Sequence, residues 1–433
     1  MFKFIHAADI HLDSPLLGLE QYEGAPVDDI RGATRRALQN LVDMAVSEEV
    51  SFVIIAGDIY DGDWQDYSTG LHFASKMFEL ERHNIKVFIV SGNHDAESRI
   101  TRKLQLPDNT HVFGAKESDT VEIKELKVAI HGRSFSDREI TEDLSVSYPL
   151  PTQGFLNIGV LHTCADGREG FAQYAPCNVE SLVAKGYDYW ALGHIHKAEM
   201  IRETPYVVFP GNIQGRHVNE TELDRQGNRT GGKGCKLVIV EDGQVVDVKH
   251  KVLDVVRWCQ CQVTADAALT GDDVVSLCKD QIRSELEHTT DQLLAVRLTI
   301  TGESEAHKYL AEDPDRWLNE IRNSVTGMAG GRVWLEKVTL KTLPTVDLDI
   351  LRSQPGPLSD LIKFIDDIPN QEATIKSLVD SFGPVRGKTL GLPALDAGIE
   401  KPDVLGDREC VVGMLREVQY MLAQKLVQDG GLK

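Results

Sequence analysis

Apolar runs stopped by Asp, Asn or His alternate, along the first half of the chain, with longer stretches whose apolar positions recur at helical spacing. Phe4-Ile5-His6-Ala7-Ala8 runs into Asp9-Ile10-His11, and Phe52-Val53-Ile54-Ile55-Ala56 into Gly57-Asp58-Ile59-Tyr60-Asp61. Residues 84–90 lead to Gly92-Asn93-His94-Asp95, residues 155–161 to His162, and Tyr189-Trp190-Ala191-Leu192 to Gly193-His194-Ile195-His196. Runs of this kind read as strands buried on both faces that release polar side chains at their carboxyl ends, where open α/β sheets place their chemistry. Residues 31–49 carry Ala37, Leu38, Leu41, Val42, Ala45 and Val46 on one helical face. The next helix is expected over 68–83. A strand, helix, strand unit is parallel and right-handed, so the loops bearing Asp9 and Asp58 share one sheet edge. Residues 121–125 and 127–132 read as a hairpin, and strands near 206–209, 235–240 and 245–252 as a second sheet.

The pattern changes after residue 253. Strand-like runs at 258–264, 293–301 and 333–342 alternate with helix-like stretches at 271–288 and 305–325, a small α/β module. Proline and glycine breaks follow Pro344, then short helices around 358–382 and a last helix over about 407–428. In that helix Val411, Val412, Met414, Leu415, Val418, Met421, Leu422 and Leu426 form a wide apolar stripe, which serves either its own domain or a partner. The expected layout is residues 1–253, 254–343 and 344–433.

Length supports this division, since 433 residues exceed what one hydrophobic core usually serves. No apolar stretch approaches the roughly 20 residues of a spanning helix, so no membrane association is expected. The first residues already read as strand without a signal-peptide pattern, and a cytoplasmic protein is expected. Seven scattered cysteines, with no Cys-x-x-Cys pair, suit reduced thiols. A net charge of −21 argues against unaided binding of nucleic acid, because phosphate neutralisation supplies most non-specific affinity.

Together the five loops offer Asp9, His11, Asp58, Asn93, His162, His194 and His196. Two divalent ions roughly 3.5 to 4 Å apart need about this many ligands, with one carboxylate, naturally Asp58, between them. Mixed imidazole and carboxylate donors suit Mn²⁺, Fe²⁺ or Zn²⁺ better than Mg²⁺ or Ca²⁺. Such a pair generates hydroxide near neutral pH and supports attack on phosphorus.

The ordered series Asp9-x-His11, Gly57-Asp58-x-x-Asp61, Gly92-Asn93-His94-Asp95, His162 and Gly193-His194-x-His196 resembles the calcineurin-like metallophosphoesterases. Within them the chain is most similar to the bacterial DNA-repair exonucleases of the SbcD and YhaO-like group, through Asp9 to Pro15, Gly167-Arg168-Glu169-Gly170, Gly186 to His194 and Phe209 to His217. The resemblance implies a four-layer α/β sandwich, a small α/β cap and a helical tail. It implies one ion on Asp9, His11, Asp58 and His196, and another on Asp58, Asn93, His162 and His194. His94 is then the catalytic acid, oriented by Asp61. It further implies Mn²⁺-dependent cleavage of DNA by a homodimer bound to an SMC-like ATPase. Archaeal and eukaryotic relatives commonly carry His where this chain has Asp61. Arg99, Arg102, Arg133, Arg168 and Arg216 lie near the motif loops, and Arg168 and Arg216 are the expected substrate contacts. The same ligands would also serve a phosphatase or phosphodiesterase acting on a small molecule or phosphoprotein, or a metal-dependent scaffold.

Overall fold

The computed structural model describes residues 1–14, 26–61, 67–97, 105–166, 174–221, 232–289, 291–345, 348–353, 355–381 and 408–428. The chain divides into two compact units, Met1–Trp258 with Asp291–Leu294, and Cys259–Thr290 with Ala295–Lys433.

The first unit begins with β1 (Phe2–Ala7), α1 (Val27–Arg31), α2 (Ala33–Ser47), β2 (Phe52–Ala56), α3 (Tyr67–Arg82), β3 (Lys86–Val90), α4 (Asn93–Glu97) and β4 (Thr110–Val112). It continues with β5 (Asp119–Ile123), β6 (Val128–Gly132), β7 (Leu156–His162), α5 (Val179–Ala184), β8 (Tyr189–Gly193), β9 (Glu199–Glu203), β10 (Tyr206–Phe209), β11 (Gly234–Glu241) and β12 (Gln244–Val252). One sheet runs β12-β11-β1-β2-β3-β4 and the other β5-β6-β7-β8-β10-β9. Strands β11 and β12 thus join the first sheet, not the second as their sequence order suggests. Phe2 pairs with Val240 along the edge of β1 left open by β2. Periodicity identifies a strand but not its neighbour.

Strict alternation explains the layering. Phe4, Phe52, Ile54, Phe88 and Val90 meet Ile158, Val160, Tyr189 and Ala191 between the sheets. Their neighbours Ile5, Val53, Ile55, Val87 and Ile89 pack beneath Ala37, Leu38, Leu41, Phe73 and Met77 of α2 and α3. On the far side, Leu161, Trp190 and Leu192 pack against Leu182 of α5 and against Leu144 and Tyr148. This is the expected four-layer sandwich. Buried His6 ties the layers, its ring nitrogens lying 3.0 Å from Tyr189 Oη and 3.1 Å from Leu192 O. Burial, outweighing its bond to Leu192, pushes its pKa down to about 3, so it is a neutral crosslink.

The second unit carries a three-stranded sheet of β13 (Val256–Thr264), β14 (Leu293–Glu303) and β15 (Val333–Leu343), ordered β13-β14-β15. Helix α6 (Gly271–Glu287) opens with a capping box of Thr270 and Asp273. One helix was expected over 305–325, but the structure has α7 (His307–Glu312) and α8 (Pro314–Met328). Pro314 cannot continue a helix, and Asp313 caps the new one through Arg316 N. The tail forms α9 (Leu348–Ser353), α10 (Pro357–Asp367), α11 (Glu372–Ser381) and α12 (Arg408–Gln428). Part of the apolar stripe of α12 is internal: Val411, Val412 and Leu415 pack with Ile368 and Ile375, and Ala423, outside the stripe, packs with Leu358 and Ile362. Val418 and Leu426 remain exposed.

Candidate metal centre

The motif loops are laced together by backbone geometry. Asp9, His11 and Asp58 hold φ of 52°, 45° and 53°, and His194 99°, in the left-handed half of backbone space. Such conformations cost on the order of 1–3 kcal/mol each and persist only where the surroundings over-determine them. Here Asp9 N donates to Gly57 O and His11 N to Asp58 O, both at 3.0 Å. His194 N donates to both carboxylate oxygens of Asp9 at 3.1 Å, and His94 N to Asp58 Oδ1 at 3.0 Å. The sheets approach so closely that a Cβ on Gly193 would lie 1.8 Å from Ala56 O, and one on Gly57 2.4 Å from His162 Nδ1.

Seven predicted side chains converge across both sheets. Donor atoms of Asp9, His11 and His196 all lie within 4.8 Å of one another, as do those of His11, Asp58 and His94, and those of Asp58, His162 and His194. His11 Nε2 faces His196 Nε2 at 3.0 Å. His162 Nε2 lies 3.0 Å from Asn93 Oδ1 and 3.3 Å from Asp58 Oδ2. Asp9, His11, Asp58, Asn93 and His162 are almost wholly buried.

Tautomers decide what fits this space. His162 Nδ1 lies 2.9 Å from Ala56 O, an acceptor, and therefore carries the proton of the neutral ring. Its Nε2 then points a lone pair at two oxygen acceptors, so a positive charge is needed between them. Without a metal that charge is a proton: burial disfavours it, but Asp58 outweighs burial and pushes the pKa of His162 up to about 9. In the same way His196 Nδ1, 2.7 Å from Glu220 Oε1, carries the proton of the neutral ring, which leaves the lone pair of its Nε2 facing His11. Two imidazole lone pairs at 3.0 Å repel unless a cation or one proton lies between them. The donor set fits two divalent cations.

His94 sits at the rim with its side chain 19% exposed, and its Nδ1 lies 3.2 Å from Asp61 Oδ1. Asp61 is a hub that also accepts from Ser14 Oγ at 2.5 Å and lies 3.4 Å from Arg216 Nη1. Burial opposes its charge, but His11, Arg216 and His94 hold its carboxyl far below the usual range. Arg216, expected to meet substrate, has only 6% of its side chain exposed, and its guanidinium lies between Asp61 and Glu220 Oε1. Arg133 is likewise engaged, by Ala115 O, Ser147 Oγ and Glu142. Arg168 lies outside the described residues, as do Arg99 and Arg102.

Sequence reasoning missed two residues. Glu220 holds His196 and Arg216, and a lone acidic residue in a loop gives no signal of that. Asp95 stands inside a quoted motif but had no role. Its Oδ1 accepts from Ile59 N and Tyr60 N at 2.9 and 3.0 Å and its Oδ2 from Gly92 N at 3.0 Å, which fixes the Asp58 loop against the Asn93 loop. Burial, aided by Asp58 and opposed by those amides, pushes its pKa up to about 7 when no cation balances the site.

The chain matches the calcineurin-like phosphoesterase family over residues 2–198 and the middle domain of metallophosphoesterase YhaO over residues 258–343. It is 33% identical over 323 residues to an uncharacterized metallophosphoesterase YhaO of Bacillus subtilis, covering 73% of this chain and 76% of that one. The chain belongs to the calcineurin-like metallophosphoesterases of the YhaO type. This metallophosphoesterase is also 25% identical over 205 residues to the DNA double-strand break repair protein Mre11 of Sulfolobus acidocaldarius, covering 45% of this chain and 49% of that one. With the protein of the same name from Methanocaldococcus jannaschii it shares 26% identity over 246 residues, 54% of this chain and 62% of that one. Among the described residues no helix is long and apolar enough to cross a membrane.

Proposed function

We propose that this metallophosphoesterase is a DNA exonuclease that hydrolyses phosphodiester bonds with two divalent cations, Mn²⁺ in preference to others, and works as a homodimer with an SMC-like ATPase. The observation that carries the reading is the convergence of His162 and His196, each with its Nδ1 held by an acceptor and its Nε2 turned toward further donors. Asp9, His11, Asp58 and His196 would hold one cation and Asp58, Asn93, His162 and His194 the other. When bound, the pair supplies Lewis acidity toward a phosphoryl oxygen and lowers the pKa of water. The chain's own residues do the rest. His94 donates a proton to the leaving oxygen from Nε2, because its Nδ1 is bound to Asp61. Asp61 orients that ring, and His11 and Arg216 keep Asp61 ionised.

DNA as substrate is supported by the relatives named for double-strand break repair. The net charge of −21 supports a partner that supplies the positive field, and the exposed Val418 and Leu426 of α12 offer it an apolar contact. The same charge favours, as a second reading, a phosphodiesterase acting on a small molecule. The test is Mn²⁺-dependent digestion of labelled linear, circular and single-stranded DNA, with and without the ATPase, beside bis-p-nitrophenyl phosphate. Degradation of linear DNA from its ends supports the proposal. Hydrolysis of the small diester with all three DNA forms intact under both conditions selects the second reading.

A further inference from the structure

In the second unit, which carries none of the motifs discussed so far, two thiols and a carboxylate meet. Cys259 Sγ lies 3.3 Å from Cys261 Sγ and 3.2 Å from Glu285 Oε2, and all three donor atoms fall within 4.8 Å of one another. Cys259, Cys261 and Val263 alternate along β13 and so share one face of the strand. Glu285 lies on the inward stripe of α6 with Val274, Val275, Cys278 and Ile282, a position where helical patterning calls for an apolar residue. Its relative exposure is only 7%, and that of Cys261 4%. Gln281 Nε2, at 3.2 Å from Oε1, orients the other oxygen of Glu285.

We propose that Cys259, Cys261 and Glu285 form a binding site for a thiophilic divalent cation of the Zn²⁺ class, which clamps β13 to α6 and is separate from the phosphoesterase centre. Geometry favours a cation over a disulfide. Residues i and i+2 of a strand have Cα atoms about 6.4–6.8 Å apart, at the far limit for a disulfide. A tetrahedral Zn²⁺ with Zn–S near 2.3 Å and Zn–O near 2.0 Å needs S···S and S···O separations of only about 3.8 and 3.5 Å. The observed 3.3 and 3.2 Å lie within half an ångström of both, so side-chain rotation alone opens the site. Binding displaces the two thiol protons to solvent, and two thiolates, one carboxylate and a water as fourth donor leave the bound dication with a net charge of −1. Thiolate donors select Zn²⁺ against the Mn²⁺ or Mg²⁺ that oxygen ligands prefer.

The experiment is Co²⁺ titration of the full-length, reduced, metal-stripped chain, followed by absorption. Thiolate-to-cobalt charge transfer in the near ultraviolet distinguishes this site, because none of the seven ligands assigned to the phosphoesterase centre is a cysteine. The band is expected to reach the amplitude of one thiolate-bound Co²⁺ per chain in the wild type, in Cys278→Ser and in Asp58→Asn. It should vanish in the Cys259→Ser/Cys261→Ser double variant, and Glu285→Gln should weaken the affinity on the order of tenfold. Absence of the band in the wild type overturns the proposal without any variant. So does its persistence in the double variant, or a native chain whose mass and thiol count show Cys259 joined to Cys261.

Discussion

Replacing Glu220 by Gln isolates the positioning of the metal centre from its ligands. The Glu220 carboxylate accepts from four donors: His196 Nδ1 at 2.7 Å and Arg216 Nη2 at 3.3 Å on Oε1, Arg216 N at 2.7 Å and Asn212 Nδ2 at 3.0 Å on Oε2. A carboxamide has one oxygen. Whichever pair that oxygen serves, its NH₂ group faces the other pair, donor against donor, in a buried site. Each donor stranded in this way costs about 1–3 kcal/mol. With the amide oxygen on Arg216 N and Asn212 Nδ2, the stranded donors are His196 Nδ1 and Arg216 Nη2, and the expected loss of stability is about 2–6 kcal/mol. If the amide oxygen goes to Arg216 N, His196 loses the acceptor that fixes its tautomer and orientation. Loss of such a partner typically weakens metal affinity by 10- to 100-fold, about 1.4–2.7 kcal/mol. The assay is calorimetric titration of Mn²⁺ into metal-stripped Glu220→Gln and wild-type protein, with hydrolysis of bis-p-nitrophenyl phosphate measured at limiting and saturating metal. Expected is a weaker metal site with most of the turnover restored by excess Mn²⁺. Wild-type affinity in a folded variant would refute the role of Glu220 and, with it, the inclusion of His196 among the ligands.

Other perturbations test separate parts of the reasoning. Asp58→Ala should abolish turnover and release metal, since Asp58 belongs to two of the three donor clusters at this centre; two ions per chain in this variant, by elemental analysis, would contradict its proposed bridging place. His94→Ala should keep both metals and still bind DNA while turnover falls by about 10² to 10⁴, and metal loss would make His94 a ligand. Val418→Asp with Leu426→Asp should leave melting temperature and small-diester hydrolysis unchanged yet reduce co-purification of the proposed ATPase partner, because both side chains are exposed; equal recovery places the proposed contact elsewhere. Glu48 is bound by Lys3 and Lys251, whose hydrogen bonds lower its pKa from 4.5 to about 2. Its contribution is full above the unfolded value and disappears as pH falls from about 4.5 to about 2. Because the group is partly solvated, the difference in stability between wild type and Glu48→Gln should be only about 0.2–1 kcal/mol at neutral pH. A melting-temperature difference that grows on acidification would reverse the sign of this linkage.

The sequence by itself determined the strands, the helices over them and the five loops that carry Asp9, His11, Asp58, Asn93, His94, His162, His194 and His196. It could do so because burial on both faces of a strand and on one face of a helix leaves a local period, and because an apolar run that stops in Asp or His marks a sheet edge. What it could not carry was partnership between residues far apart in the chain. Only the tertiary structure decided that β11 and β12 extend the first sheet, since the hydrophobic pattern of a strand is the same beside any neighbour. Only the fold turned Arg216 inward to Asp61 and Glu220, placed Asp95 beneath two loops at once, and divided the stripe of α12 between its own core and its surface. The left-handed backbone at Asp9, His11, Asp58 and His194 left no trace in composition either, because long-range hydrogen bonds impose it against local preference. Cys259-Gln260-Cys261 reads as an unremarked pair of thiols until α6 brings Glu285 beside them. Local order in this protein follows from side-chain type and spacing, while the charge and proton balance of its sites follows from which distant groups the fold presses together.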